Sequence, residues 1–210
     1  CDISKIKKPL IWTLHDMWGF CGAEHVSWDE RWKNGYNINN RPDYESGFDL
    51  NRWTWLRKIK YWKKPIQIIT PSNWLTECSK KSKLMSRWPV KTIGNPIDTG
   101  FWKPKNKNKC RDFFKFSHKD KILLFGTYGA NIEYHKGFDI LKKALKKTTN
   151  RNMKLVIFGQ NTNINFSELG IQVVNIGFVN KDKYLRYLYC AADATVVPSR
   201  IESFGQMAAE

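Results

Sequence analysis

The sequence predicts an α/β fold in which parallel sheets are covered by helices. Three observations predict it. Short, near-continuous apolar runs recur along the chain, as strands buried on both faces require. Segments with helical apolar spacing separate them. In the second half these runs end on a glycine or on Pro-Ser, where a chain leaves the carboxyl edge of a sheet.

The first run, 10–14 (LIWTL), follows Pro9 and reads as a buried strand that stops at His15-Asp16. Residues 17–46 are rich in Trp, Gly and Asn without a period; they read as irregular, with one helical turn. Asp49 is an N-cap by type. After it Leu50, Trp53, Leu56, Ile59 and Trp62 recur every three residues, the apolar stripe of a helix that Pro65 closes. The run 66–70 (IQIIT) is a second strand. Ser72 caps a helix carrying Trp74, Leu75 and Cys78, and 90–93 is a third strand. Asn95-Pro96 opens a turn and a Lys/Asn-rich linker. The expected domains are therefore 1–104 and 105–210.

Beyond the linker the alternation is cleaner. Strands are expected over 121–125 (KILLF), 154–158 (KLVIF), 173–176 and 194–197, ending at Gly126, Gly159, Gly177 and Pro198-Ser199. Helices are expected over 136–147, with Phe138, Leu141, Ala144 and Leu145 inward, and over 182–191, with Leu185, Leu188 and Tyr189 inward. A last helix begins at Ser203. In such sheets ligands bind beyond the carboxyl ends of the strands, the rim that carries Gly126, Gly159, Gly177 and Ser199.

Composition narrows the class. A chain of 210 residues that is 41% hydrophobic and 26% charged can bury a core. No apolar run approaches the roughly 20 residues of a membrane span. The Lys-rich start, broken by Pro9, does not read as a signal peptide. The chain does not begin with Met and reads as a fragment or a processed product. Its five cysteines are odd in number and form no C-x-x-C pair, which argues against zinc and thioredoxin-like sites. They are expected as reduced thiols in a cytosolic protein. The net charge of +17 suits a nucleic acid, an anionic membrane or substrate, or a compositional bias of the source genome. The basic residues are scattered and form no single aromatic-interleaved stripe, which argues against nucleic acid.

The C-terminal segment carries the most chemistry. Glu202 and Glu210 have seven residues between them. On a helix, that spacing is a little over two turns and puts both on roughly one side. A helix starting at Ser203 offers the N–H groups of Ser203, Phe204 and Gly205 to a phosphate, and Gly205 permits close approach. An ordinary amphipathic helix with two exposed glutamates has the same spacing. The position directly after a Val-Val-Pro-Ser strand end favours the site.

These motifs, with WTLHDMWGFCG (12–22), DLNRW (49–53), ITPSNWL (69–75), PVKTIGNPIDTGFWKP (89–104), LLFGT with HKGFDIL (123–141), LVIFG (155–159) and YCAADATVVPSRIESFGQMAAE (189–210), fall in the order seen in one family. The chain resembles the family 4 glycosyltransferases, especially their bacterial polysaccharide-assembly branch. The resemblance implies the GT-B fold, two Rossmann-like domains facing a cleft. It also implies retaining, metal-independent transfer of a sugar from a nucleotide-sugar donor, which is a co-substrate rather than a cofactor. The acceptor is then a glycan or a lipid-linked sugar, in surface polysaccharide such as lipopolysaccharide or capsule. The setting is the cytoplasm; the basic, Trp-rich region 31–64 is expected to touch anionic inner-membrane lipid, and no nucleic-acid partner is expected.

By the same resemblance, Glu210 contacts the nucleotide ribose and Glu202 the hydroxyls of the donor sugar. Phe204 and Gly205 face the diphosphate or the sugar, and Lys136 neutralises the leaving diphosphate. His15 is the active-site histidine that orients donor or acceptor, with Asp16 orienting the imidazole or capping a turn. Many members carry an arginine shortly before the lysine. Here the segment reads Gly126-Thr127-Tyr128-Gly129-Ala130-Asn131, so Thr127 or backbone amides are expected to substitute. Pro96 stands where many members have glycine, and Cys21 is the one cysteine kept after the His-Asp-Met-Trp motif. Family domains begin well upstream of Cys1 and continue past Glu210. Both domains are therefore expected to be incomplete, and the isolated piece to be poorly soluble and inactive in transfer. The competing readings are a basic nucleic-acid-binding protein and a nucleotide-sugar epimerase or phosphorylase of similar fold.

Overall fold

A computed structural model of the chain describes residues 3–127, 134–148, 152–159, 166 and 169–210. The chain forms two compact units, Cys1–Asn95 and Pro96–Glu210, each with its own all-parallel sheet.

In the first unit β1 (Ile11–Thr13), β2 (Gln67–Thr70) and β3 (Val90–Thr92) lie side by side in that order. Ile68 of the central strand is fully buried, and Phe20, Cys21, Leu75 and Met85 complete the centre of the core. Helix α1 (Arg31–Asn34) is the one turn expected inside 17–46. Helix α2 (Leu50–Tyr61) is capped by Asp49, whose carboxylate accepts from Arg52 N at 2.8 Å. Helix α3 (Asn73–Lys81) is capped by Ser72, whose hydroxyl accepts from Leu75 N at 3.2 Å.

Of the stripe expected on α2 only Ile59 and Trp62 pack against the core. Trp55 and Lys58 are 7% and 3% exposed, whereas Leu50, Trp53 and Leu56 are 52%, 46% and 42% exposed. The cause is geometric. With 3.6 residues per turn, each three-residue step falls short of a full turn by about 60°, so a strict three-residue pattern winds around the helix. Trp55, Lys58 and the half-buried Asn51 and Trp62 follow the 4-3-4 spacing that stays on one side. Lys58 reaches inward to donate to the carbonyls of Trp18, Cys21 (3.0 Å) and Gly22 (2.7 Å). Burial holds its ammonium down to about 8. A buried cation is tolerable here because three carbonyls satisfy all three of its N–H groups.

The second unit contains α4 (Lys107–Phe113), β4 (Lys121–Gly126), α5 (Phe138–Lys147), β5 (Met153–Phe158), β6 (Gln172–Gly177), α6 (Asp182–Ala191), β7 (Ala194–Thr195) and α7 (Gln206–Ala209). The strand order is β6-β5-β4-β7. Alternation along β4 and β5 divides the core between the two faces. Ile122, Leu124 and Val156 pack with Cys110, Leu188 and Ala191 of α4 and α6. Phe125, Leu155 and Ile157 pack with Phe138, Leu141 and Leu145 of α5. Ala144, expected inward, is exposed.

Helix α4 lies partly in the stretch read as linker. Asn106 caps it by accepting from Lys109 N at 3.0 Å. Arg111, 3% exposed, donates to Ala191 O at 3.0 Å and His118 O at 2.6 Å, and pairs with Asp193 at 2.9 Å. The units divide after Asn95, earlier than the boundary placed at 104/105, because 96–104 belongs with the second sheet. There Phe101 O accepts from Arg186, and Trp102 packs on Tyr189 with centroids 5.9 Å apart.

Candidate active site

The strand order of the second sheet sets where a site can form. The chain runs outward from β4 to β5 and β6, then returns to place β7 on the other side of β4. The loops leaving β4 and β7 therefore diverge at a topological switch point, where open parallel sheets hold ligands. The loop after β4 carries Lys136, and the loop after β7 carries Glu202.

Those loops are locked together. Gly137 sits at φ +69°, and a Cβ there would lie 2.0 Å from Pro198 O. Arg200 N donates to His135 O at 2.7 Å. The Arg200 guanidinium forks onto Asp139 with two 2.7 Å bonds and stacks 3.8 Å from the Tyr134 ring centroid. That hydrogen-bonded guanidinium holds the Asp139 carboxyl down to about 2.

The result is a cavity of about 370 Å³ at the carboxyl edge of the sheet. Six of the expected donor residues line it: Gly126, Thr127, Lys136, Glu202, Gly205 and Glu210. Lys136 Nζ donates to Glu202 Oε1 at 2.8 Å, and Ser199 Oγ donates to the same oxygen at 2.8 Å. Tyr189 OH donates to Glu210 Oε2 at 3.1 Å, and Gln206 Nε2 donates to Oε1 at 2.8 Å. Burial, reinforced by the Glu210 carboxylate, pushes the Tyr189 phenol well up, so it stays a donor. Thr127 is 6% exposed and its hydroxyl has no partner among the described residues. Gly159, at φ +87°, comes so close that a Cβ would stand 2.2 Å from Thr127 O.

The start of the last helix changes, and the roles around it become specific. The last helix starts at Gln206, because Gly205 is a left-handed N-cap at φ +80° and the backbone before it is a bend. Ser203 and Phe204 thus precede the helix and do not line the cavity. Among the described residues nothing accepts from the backbone N–H groups of Ser203, Phe204 or Gly205. Glu202 precedes the helix as expected and Glu210 caps its end, so a loop and a helix end bring the pair to one cavity. Of its two expected roles Asp16 takes the second: it caps a turn by accepting from Trp18 N at 2.9 Å, and it pairs with His25 at 2.6 Å rather than with His15. His15 is exposed, two residues past β1 in the first unit. Tyr128, Gly129, Ala130 and Asn131, where the arginine of the resemblance is lacking, lie outside the described residues.

Sequence reasoning passed over Tyr189, Asp139 and Arg200. Tyr189 was read as core, and its three-residue distance from Arg186 gives no sign of a carboxylate partner. Arg200 and Asp139 are 61 residues apart, and only the switch-point topology joins them. A larger apolar cavity of about 540 Å³ lies in the first unit beside Trp12, Trp18 and Trp62. It has none of the expected donor residues. Convergent charge, rather than size, makes the smaller cavity the candidate site.

The family model described as "Glycosyl transferases group 1" matches residues 106–210. The chain belongs to this glycosyltransferase family. An uncharacterized glycosyltransferase of Methanocaldococcus jannaschii is 39% identical over 99 residues, covering 43% of this chain and 24% of that protein. An uncharacterized 41.2 kDa protein in the cps region of Klebsiella pneumoniae is 24% identical over 190 residues, covering 83% of this chain and 51% of that protein. Among solved structures, sucrose-phosphate synthase from Thermosynechococcus elongatus superposes with a TM-score of 0.67 at 15% identity, over 98% of this chain and 48% of that one. Anabaena HepE in complex with UDP-glucose gives 0.63 at 16%, over 96% and 50%. The glycosyltransferase chain therefore has the α/β, GT-B class of fold, and it spans about half or less of each of these relatives. Among the described residues no helix is long and apolar enough to cross a membrane.

Proposed function

We propose that this glycosyltransferase chain binds a nucleotide-sugar donor in the cavity of its second unit. The full protein then transfers the sugar, with retention, to a glycan or lipid-linked acceptor in surface polysaccharide assembly. The observation that carries the reading is the convergence of Lys136, Glu202 and Glu210 on one cavity at the sheet's switch point. Each group suits a different part of a donor. Glu210, oriented by Tyr189 and Gln206, suits a pair of ribose hydroxyls. Glu202 suits the hydroxyls of the sugar. Lys136 and the N–H group of Gly205 suit the diphosphate.

In the transfer step the bond from the anomeric carbon to the diphosphate oxygen breaks, and the bond to the acceptor oxygen forms on the same face. The proton of the acceptor goes to the departing phosphate. Negative charge grows on that phosphate, and a fixed ammonium at Lys136 lowers the barrier without a metal ion. His15 orients the donor or the acceptor. The Klebsiella relative in a cps region and the UDP-glucose complex of Anabaena HepE support the polysaccharide setting and a nucleotide-sugar donor. Peripheral contact with anionic lipid is supported by α2. Its exposed Leu50, Trp53 and Leu56 stand beside Arg57 and Lys60, and its sequence contains no acidic residue. Internal partners occupy several of the cations that could suggest nucleic acid: Lys58, Arg111 and Arg200.

The test is a thermal-shift panel with UDP, GDP, ADP and a short RNA, on the full-length protein and its Glu210→Ala variant. One nucleoside diphosphate is expected to raise the melting temperature, and the rise is expected to vanish in the variant. A salt-sensitive response to RNA, with none to any nucleotide, would sink the reading.

A further inference from the structure

Lys136 and Glu202 are assigned to two different parts of the donor, yet they are bonded to each other at 2.8 Å. The pair is not a loose surface contact. The two side chains are 32% and 30% exposed. Their loops are tied together by the close approach of Gly137 to Pro198, by Arg200 N to His135 O, and by the Arg200–Asp139 fork. Ser199 donates to the same Glu202 oxygen, which fixes the carboxylate toward the lysine.

Consider a free nucleoside diphosphate entering this cavity. Its phosphates compete with Glu202 for the Lys136 ammonium. Glu202 gains no donor in exchange for the lysine it gives up. An intact nucleotide sugar meets a different balance. It brings the same phosphates to Lys136, and its sugar hydroxyls can donate to the carboxylate that Lys136 releases.

Building on the donor-site reading, we infer that the Lys136–Glu202 pair discriminates the intact donor from the spent nucleoside diphosphate and so favours product release. When the sugar leaves, Glu202 loses its hydroxyl donors, recaptures Lys136 and weakens the hold on the diphosphate. Glu202 thereby sets specificity by opposing the product as well as by binding the donor.

The test is calorimetric titration with UDP, GDP and ADP and with UDP-glucose, GDP-mannose and ADP-glucose. The proteins are the wild type, Glu202→Gln, Lys136→Gln and the double variant, with Glu202→Ala as a second way of removing the charge. In both Glu202 variants the cognate diphosphate is expected to bind about threefold tighter, while its sugar form binds no tighter. In the Lys136→Gln background that gain is expected to disappear, since it arises from freeing the lysine. Equal weakening of diphosphate and sugar form by Glu202→Gln overturns the inference. So does a gain that persists without Lys136, because plain charge repulsion then explains it. If the wild type binds none of the six ligands, the donor-site reading itself fails and takes this inference with it.

Discussion

Gly137 is constrained twice, by a backbone conformation that side chains disfavour and by a carbonyl where a side chain would start. Gly137→Ala is expected to destabilise the second unit by at least about 1 kcal/mol and to weaken nucleotide binding by displacing Lys136. Urea denaturation and titration with the cognate nucleotide measure the two effects. Asp193 allows a pH prediction. Burial acts to raise its carboxyl, but hydrogen bonds from Lys107 and Ile122 N, and then the charges of Lys107 and Arg111, outweigh it and hold it down to about 2. A carboxyl held below its unfolded value of 3.8 stabilises the fold above that value, and the contribution is lost as pH falls toward about 2. Asp193→Asn is therefore expected to flatten the stability profile between about pH 4 and about pH 2, followed by thermal melts across that range. The charged site residues were legible as residue types at motif positions. Their partners were not, because Tyr189–Glu210 and Arg200–Asp139 exist only once the loops are placed.

At the scale of the element, strands were easier to read than helix faces. Each expected strand is present within a residue or two of its position, because an apolar run bounded by turn residues needs no phase. Helix α2 needed one, and the three-residue pattern gave the wrong side. Lys58 was hidden because a lysine in a basic helix reads as solvent-facing. Only its place between Trp55 and Trp62 on the 4-3-4 face hints otherwise. Trp55→Ala is expected to cost about 3–5 kcal/mol, and Trp53→Ser within about 0.5 kcal/mol; chemical denaturation of the two variants decides between the two faces. Helix α4 escaped notice because its seven residues, KNKCRDF, bury only Cys110 and Arg111 and so show no apolar stripe.

For the whole molecule, the alternation of runs and helical segments fixed the α/β class, and the motif order pointed to the family. The four-strand order and its switch point could not be read from the chain, because pairing partners leave no local mark. The charge of +17 and the outer face of α2 together predict binding to anionic vesicles in low salt. Flotation should recover the protein with the lipid, less so as salt rises, and Trp53→Ser with Leu56→Ser should release it. Vesicles that fail to carry the wild type at low salt would remove the lipid partner from the proposal. The joint between Gly137 and Pro198 also has a consequence in time. Residues 134–139 and 198–200, held that tightly, cannot open and close as a lid, so among them what gives way to a donor is the lysine arm. Such rotamer changes take picoseconds to nanoseconds rather than the microseconds of a loop. Capture at this half of the site should then be limited by encounter, and any slower phase in rapid-mixing experiments would have to originate elsewhere in the protein.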